Sequence, residues 1–178
     1  SKDFLNLLYI YVKFSYICSV KKNTTLELIE QSDKVSLYSI SFEMDHTTEF
    51  ERFMHKFESE ATLNEEYQRI IYALQLILEN GVLERYFRPE GAAEDNLCAL
   101  PIESGKIRLY CLRISDQILI IGNGGIKRTH TYQEDKSLYG YVLDLQKFDN
   151  LLRICVADGS ICIEEKTIKG VDDKVFRI

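Results

Sequence analysis

The chain contains 178 residues, of which 46% are apolar and 28% are charged, with 9 Gly and 2 Pro. This length suits one domain with a real hydrophobic core and is too short for two full-sized domains. The composition excludes collagen-like, low-complexity and wholly disordered chains. The net charge of −6 argues, for the chain as a whole, against a nucleic-acid-binding protein, because phosphate contacts need clustered Lys and Arg.

The charge is distributed unevenly along the chain. Residues 1–104 carry 10 Lys and Arg against 18 Asp and Glu, whereas residues 105–178 carry 12 against 10. Between Gly105 and Gln133, five basic residues oppose one acidic residue, a local balance of +4. Because exposed charges are screened beyond about 10 Å, such a patch attracts a polyanion even when the whole chain is acidic. The alternative is an ordinary solvated strand face.

The five cysteines and three histidines show no metal-binding spacing. The chain has no C-x-x-C pair, no H-E-x-x-H motif and no zinc-finger spacing, so we expect neither a metal site nor another cofactor. Most of the cysteines lie in apolar runs, which is typical of buried, reduced thiols in a cytoplasmic protein.

The N-terminal residues form a dense apolar stretch from Phe4 to Val20. Lys13 lies well inside it, and it falls short of the 18 or more uninterrupted apolar residues typical of a membrane span. We expect a strand or a buried helix, and we assign residues 1–22 to an N-terminal apolar extension. A signal peptide or an envelope anchor is the alternative, although no A-x-A cleavage site follows.

A hairpin and two helices are predicted next. Leu26 to Glu30 and Val35 to Phe42 alternate apolar and polar residues around a turn-like cluster. Thr48 and Glu51 have the spacing of a capping box, and apolar residues then recur at helical spacing. A second helix runs from Asn64, a candidate N-cap, to a stop at Gly81.

A meander and a third helix follow. Three strands are predicted at Leu97 to Ile102, Ile107 to Ile114 and Gln117 to Ile121, and Gly122 to Gly125 is predicted as a tight connection. A phosphate-cradling loop is the alternative for these glycines. The third helix spans Ser137 to Leu152. Beyond it, either the helix continues to Gly159 and a strand follows, which we favour, or Asp-Gly turns a hairpin.

The order of these elements predicts an α+β fold. We expect a small antiparallel sheet with two N-terminal helices packed on one face, plus a C-terminal helix and strand extension. Residues 23–153 are assigned to the domain itself. Residues 154–178 form a C-terminal extension that either packs on the sheet edge or covers a groove.

The region from Val35 to Asp149 resembles the RelE/ParE superfamily of bacterial toxins, in particular its HigB-like, phage-derived branch. The stretch from Ile118 to Tyr132 is similar to that branch's apolar strand, short turn and Lys-Lys-Thr signature, with Lys127-Arg128-Thr129 in the position of the signature. The segment from Leu100 to Tyr110 is similar to the preceding strand pair with its Arg-x-Tyr. The chain departs from the family in being acidic and longer.

This resemblance implies a metal-independent endoribonuclease that cleaves mRNA, in association with the ribosome, by attack of the ribose 2′-OH. It also implies a cognate antitoxin, of a helix-turn-helix type, that holds the toxin inactive in the cytoplasm, with no membrane partner. A non-catalytic protein-binding adaptor on the same scaffold is the alternative, since the first half of the chain is acidic.

The candidate site residues follow from the side-chain alternation of strands. If 127–132 is extended, Arg128, His130 and Tyr132 share one face, and Arg108 and Tyr110 share a face on the neighbouring strand. Arg, His and Tyr supply charge stabilisation, proton transfer and base stacking. We therefore expect Arg128, His130, Tyr132 and Arg108 to be catalytic. The expected RNA contacts are Lys127, Lys106, Tyr110, Arg113 and Arg88. Each of these residues also has a structural alternative, such as a loop hydrogen bond or an ordinary ion pair.

Overall fold

The computed structural model describes residues 21–42, 46–90, 95–101, 105–128 and 132–178. Within these residues the chain forms three α-helices, which are α1 (Glu49–Phe57), α2 (Asn64–Asn80) and α3 (Lys136–Ala157). The strands are β1 (Asn23–Gln31), β2 (Ser36–Phe42), β3 (Arg88–Pro89), β4 (Leu97–Leu100), β5 (Ile107–Arg113), β6 (Ile118–Ile126), β7 (Cys162–Glu164), β8 (Thr167–Lys169) and β9 (Phe176–Arg177).

Seven of these strands form one sheet in the order β3-β4-β5-β6-β2-β1-β9, and β7 and β8 form a separate hairpin. The α+β class is confirmed, but the sheet is larger than the predicted one. It is also not purely antiparallel, because β6 lies parallel to β2 with Ser36 opposite Ile118. This parallel pair closes the meander β4–β5–β6 onto the N-terminal hairpin, and helices α1 and α2 form the crossover between β2 and the meander.

The two faces of the sheet carry separate cores because side chains alternate along each strand. On one face, Phe53 of α1 and Ile70 of α2 pack against residues such as Leu109 of β5. On the opposite face, α3 contributes Leu145 and packs against residues such as Leu112. The molecule is therefore a three-layer arrangement in which the first two helices share one face and the third helix covers the other.

Local signals determine how the helices begin and end. The Thr48 hydroxyl accepts from the backbone N–H of Glu51, and the Glu51 carboxylate accepts from the N–H of Thr48, so the predicted capping box is confirmed. The expected cap at Asn64 is wrong, because Leu63 is the N-cap and no side chain caps α2. Helix α3 continues to Ala157 and ends before Gly159, whose φ is +78°, which confirms the favoured interpretation of this segment.

The C-terminal residues belong to the packed structure. Phe176 lies in the core with Phe148 of α3, and β9 pairs with the start of β1 at Asn23 and Thr24. Of the two arrangements considered for this segment, packing at the sheet edge is the one that the structure shows. No helix among the described residues is long and apolar enough to span a membrane.

The Gly122 to Gly125 segment is part of β6, so the prediction of a connecting turn is wrong, and so is the alternative of a phosphate loop. Leu109 pairs with Gly124 and Cys111 pairs with Ile121, which leaves a bulge in β6 at Gly122 and Asn123. A Cβ on Gly124 would lie 1.8 Å from the carbonyl oxygen of Arg108. Gly124 therefore allows the two strands to approach closely. In the sequence, such a glycine cannot be distinguished from one that forms a turn.

Candidate functional site

A groove of about 450 Å³ lies where β6 ends, between the C-terminal turn of α1 and the N-terminal turn of α3. Its lining combines cationic, acidic, hydroxyl-bearing and apolar groups. The lining residues are Lys56, Phe57, Glu60, Gly124, Gly125, Ile126, Arg128, Asp135, Ser137, Leu138 and Tyr141. Arg128 is the residue of the sequence-predicted catalytic set that lines this groove.

Lys56 of α1 forms hydrogen bonds to both other elements that line the groove, β6 and α3. Its ammonium Nζ donates to Asn123 Oδ1 at 2.6 Å, to the Gly124 carbonyl oxygen at 2.7 Å and to Tyr141 Oη at 3.0 Å. The ammonium also lies 4.5 Å from the centroid of the Tyr141 ring. An ammonium has three N–H donors, and these three acceptors use all of them. The Lys56 ammonium therefore fixes the position of the Tyr141 hydroxyl at the groove.

Asn123 is held in turn by a buried carboxylate. Its Nδ2 donates to Glu49 Oε2 at 2.9 Å, while Oδ1 accepts from the Gly124 N–H at 2.8 Å as well as from Lys56. Both Asn123 and Glu49 are buried. The β6 bulge directs this asparagine toward α1 instead of leaving it exposed, so the chain Glu49–Asn123–Lys56–Tyr141 runs from the interior to the groove.

Burial determines the protonation chemistry of this network. Desolvation raises the pKa of Glu49, partly offset by the hydrogen bond from Asn123, and the negative charge of Asp144 raises it further. Burial dominates even though the half-exposed Arg52 lies with its Nε 3.2 Å from Glu49 Oε1. Asp144, on α3, also has a raised pKa because of burial, although Lys22 Nζ lies 2.7 Å from its Oδ2. Two carboxyl groups with raised pKa values thus lie behind the groove.

The pKa shift of Glu49 makes a testable contribution to stability. A carboxyl group with a pKa above its unfolded value binds its proton more tightly in the folded state, so its contribution to the free energy of unfolding grows as pH falls through the folded pKa toward 4.5. Urea unfolding of the wild type and Glu49→Gln between pH 7 and pH 4 should show the wild type gaining stability relative to the variant as pH falls.

Glu51→Gln provides a control of opposite sign. The pKa of Glu51 is lowered, first by the backbone N–H of Thr48 and then by its hydroxyl. The wild type should therefore lose stability relative to Glu51→Gln as pH falls below about 5 and through the unfolded value of 4.5, so the urea series for this pair is extended to about pH 3. The same pH dependence in both variants would contradict the assignment of a buried, proton-binding Glu49.

The sequence-predicted residues at the end of β6 have mixed outcomes. Arg128 is exposed, and Lys127 lies beside Lys106, whose carbonyl oxygen accepts from the Lys127 N–H at 2.6 Å. His130 lies outside the described residues. The prediction of a strand over 127–132 is wrong for the described residues at its two ends. Strand β6 ends at Ile126, and a 3-10 turn begins at Tyr132. The alternation that placed Arg128 and Tyr132 on one strand face therefore does not apply.

Arg108 and Tyr110 are corrections to the predicted site. They do share a strand face, but that face is packed beneath α3, and the two residues are only 4% and 1% exposed. Arg108 Nη1 donates to the carbonyl oxygens of Gly105 and Ile107, at 2.8 and 2.9 Å. Tyr110 belongs to the core with Leu112. Neither side chain is accessible to RNA, because α3 covers the sheet face that was predicted to be open.

Arg113 and Arg88 are also displaced from the groove. Arg113 lies at the far end of β5, where it donates to the Val82 carbonyl oxygen at 2.8 Å and pairs with Asp116. Its partner Leu119 is roughly 20 Å along β6 from Gly125 at the strand rise of about 3.3 Å per residue. Arg88 lies on β3 at the outer edge of the sheet, 3.8 Å from a Glu90 carboxylate oxygen. Neither arginine lines the groove, so the structure does not bring them together with Arg128.

Sequence reasoning did not identify the network residues Lys56, Asn123, Glu49 and Tyr141. Lys56 looks like an ordinary polar position of an amphipathic helix, and Tyr141 falls on the apolar face predicted for the third helix. Asn123 carried the one available signal, since an asparagine within an apolar strand is a buried polar group that needs partners. The chain matches no protein-family model, no curated protein and no solved structure.

Proposed function

We propose that this protein is a RelE/HigB-like toxin of a type II toxin–antitoxin pair, which cleaves mRNA on the ribosome in the cytoplasm and is held inactive by a helix-turn-helix antitoxin. The observation that carries the proposal is the groove at the end of β6. There Arg128, from the stretch that resembles the toxin signature, lies with a tyrosine hydroxyl held by the Lys56 ammonium. The element order of strands, two helices, meander and helix also suits this scaffold.

Arg128, Tyr141 and Lys56 of the groove support a metal-independent cleavage, in which His130, outside the described residues, takes the proton-transfer role that the sequence pattern gives it. The ribose 2′-oxygen attacks phosphorus, its proton passes to His130, the P–O5′ bond breaks, and Tyr141 gives its proton to the leaving 5′-oxygen. The products are a 2′,3′-cyclic phosphate and a free 5′-hydroxyl. Arg128 stabilises the phosphorane charge, and Lys56 stabilises the tyrosinate that forms. Lys106 and Lys127 extend the RNA path beside the groove. After the products leave, His130 releases its proton to solvent and Tyr141 takes one up from solvent, which restores both groups.

Induced expression tests the proposal. We expect growth arrest with the wild type, and relief of the arrest by the double variant Arg128→Ala/His130→Ala, with viable counts higher by at least about 10²-fold since general acid–base groups contribute about that much. Arg88→Ala, at the remote sheet edge, is the control and should arrest growth like the wild type. Mapping of mRNA 5′ ends should show new cuts with the wild type alone. An absence of arrest and of new cuts would remove the toxin assignment.

A non-catalytic adaptor is the second candidate. It is favoured by the burial of Arg108, one of the four residues predicted to be catalytic, and of Tyr110, a predicted RNA contact, because neither is available to RNA. Purified protein incubated with ribosome-bound mRNA separates the two functions. Intact mRNA, together with a stoichiometric complex with a partner protein, would support the adaptor. Cleaved mRNA would support the ribonuclease.

A further inference from the structure

A second groove, of about 530 Å³, lies on the α1/α2 face of the molecule above β1. Its floor is apolar and includes Phe50 and Met54 of α1 and Ile71 and Leu78 of α2. These side chains are only partly buried, although they pack against the core of that face. The groove shares no residue with the β6 groove, so a ligand here need not approach the proposed cleavage site.

The groove exists because the helices leave β1 uncovered on this face. Helix α1 packs on β2 and β6, and α2 packs on β5. Along the outer edge of β1, β9 pairs only with Asn23 and Thr24 among the described residues. Farther along the same strand, Leu28 is 52% exposed. An apolar floor therefore lies beside a stretch of β1 whose outer edge is unpaired beyond Thr24 among the described residues.

The rim of the groove is acidic. Glu27 and Glu30 of β1 and Glu51 of α1 line it, and none of its described lining residues is Lys or Arg. Glu51 is engaged in the capping box, but neither Glu27 nor Glu30 has an ion pair among the described residues. Carboxylates around an apolar floor resemble the polar rim and apolar centre of protein interfaces, and their charge selects for a cationic partner.

We propose that this groove docks a basic amphipathic segment of a partner protein, with apolar side chains on the floor and Lys or Arg side chains against Glu27 and Glu30. Glu27, Glu30 and Glu51 all belong to the acidic part of the chain that precedes residue 105. The inference does not depend on RNA cleavage, because it rests on a different surface and its readout is peptide binding.

Selection of a random peptide library displayed on phage against the purified full chain tests the inference. Selected peptides should be rich in Leu, Ile or Phe together with Lys or Arg. A synthetic copy of the strongest should bind with an affinity that falls at least about tenfold from 50 to 300 mM NaCl, because rim charges are screened by salt. Amide chemical-shift changes should map to β1, α1 and α2.

Charge reversal localises the site. Glu27→Lys/Glu30→Lys should weaken binding of that synthetic peptide at least tenfold. The control Glu65→Lys/Asp172→Lys makes the same change in net charge at exposed carboxylates outside the groove and should change the affinity less than twofold. Circular dichroism checks that both variants fold. The proposal would be overturned by any of three results: selected peptides that are not enriched in Lys or Arg, amide chemical-shift changes that map outside β1, α1 and α2, or equal loss of peptide affinity in the two double variants.

Discussion

Gly124→Ala is expected to destabilise the fold by about 3 kcal/mol or more, the upper part of the range for overpacking a close contact. The added Cβ would lie 1.8 Å from the Arg108 carbonyl oxygen and 2.8 Å from its carbonyl carbon. Both atoms belong to the backbone of the paired strand, so no side chain can rotate away to relieve the clash. Strands β5 and β6 would have to separate at the groove. Urea unfolding followed by circular dichroism measures the loss.

Gly140→Ala is the matched control. This glycine lies inside α3, and an added Cβ there meets no atom within 4 Å. Since glycine in a helix interior costs about 0.5–1 kcal/mol relative to alanine, this variant should be more stable by about that amount. Equal stability of Gly124→Ala and the wild type would show that β5 and β6 do not approach as closely as described.

Tyr141→Phe is expected to slow cleavage of a ribosome-bound mRNA by about 10²–10⁴-fold in single-turnover experiments, the usual contribution of a general acid. The phenol oxygen accepts from Lys56. In the proposed mechanism its own O–H then serves the leaving oxygen. The variant keeps the aromatic ring and loses that proton. Because Lys56 retains its bonds to Asn123 and Gly124, the stability should fall by no more than about 1 kcal/mol.

Tyr72→Phe removes a hydroxyl from an exposed tyrosine on the outer side of α2 and should cleave at the wild-type rate. If Tyr141→Phe also cleaves at that rate while Arg128→Ala/His130→Ala does not cleave, the groove is the site but another group supplies the proton. Loss of cleavage accompanied by unfolding of Tyr141→Phe would instead show a structural role for the hydroxyl.

Local patterns predicted much of the fold. Three features depend on interactions within a few residues and can therefore be predicted from a single sequence. They are the Thr48–Glu51 capping box, the apolar stripe of α2 and the end of α3 before Gly159. Alternation likewise predicted β1, β2 and β5 to within a few residues. The boundary at Gly122 was misplaced because a glycine that permits close strand approach and a glycine that forms a turn look alike in sequence.

The candidate site was only partly predictable. Arg128 was identified because it belongs to a basic stretch after an apolar strand. Arg108 was assigned to the same site because it shares a strand face with Tyr110, but alternation does not tell which face is covered by a helix. Lys56 and Tyr141 were missed, since 85 residues separate them and only the packing of α1 and α3 around β6 brings them together.

By itself the sequence determined the α+β class, most of the elements, and the concentration of acidic charge before residue 105. These features depend on composition and on short periodic patterns. Only the tertiary structure decided which faces are buried, that β6 lies parallel to β2, and that Lys56 holds Tyr141 at a groove. The physical reason is that contacts between elements far apart in the chain leave no periodic trace in either segment.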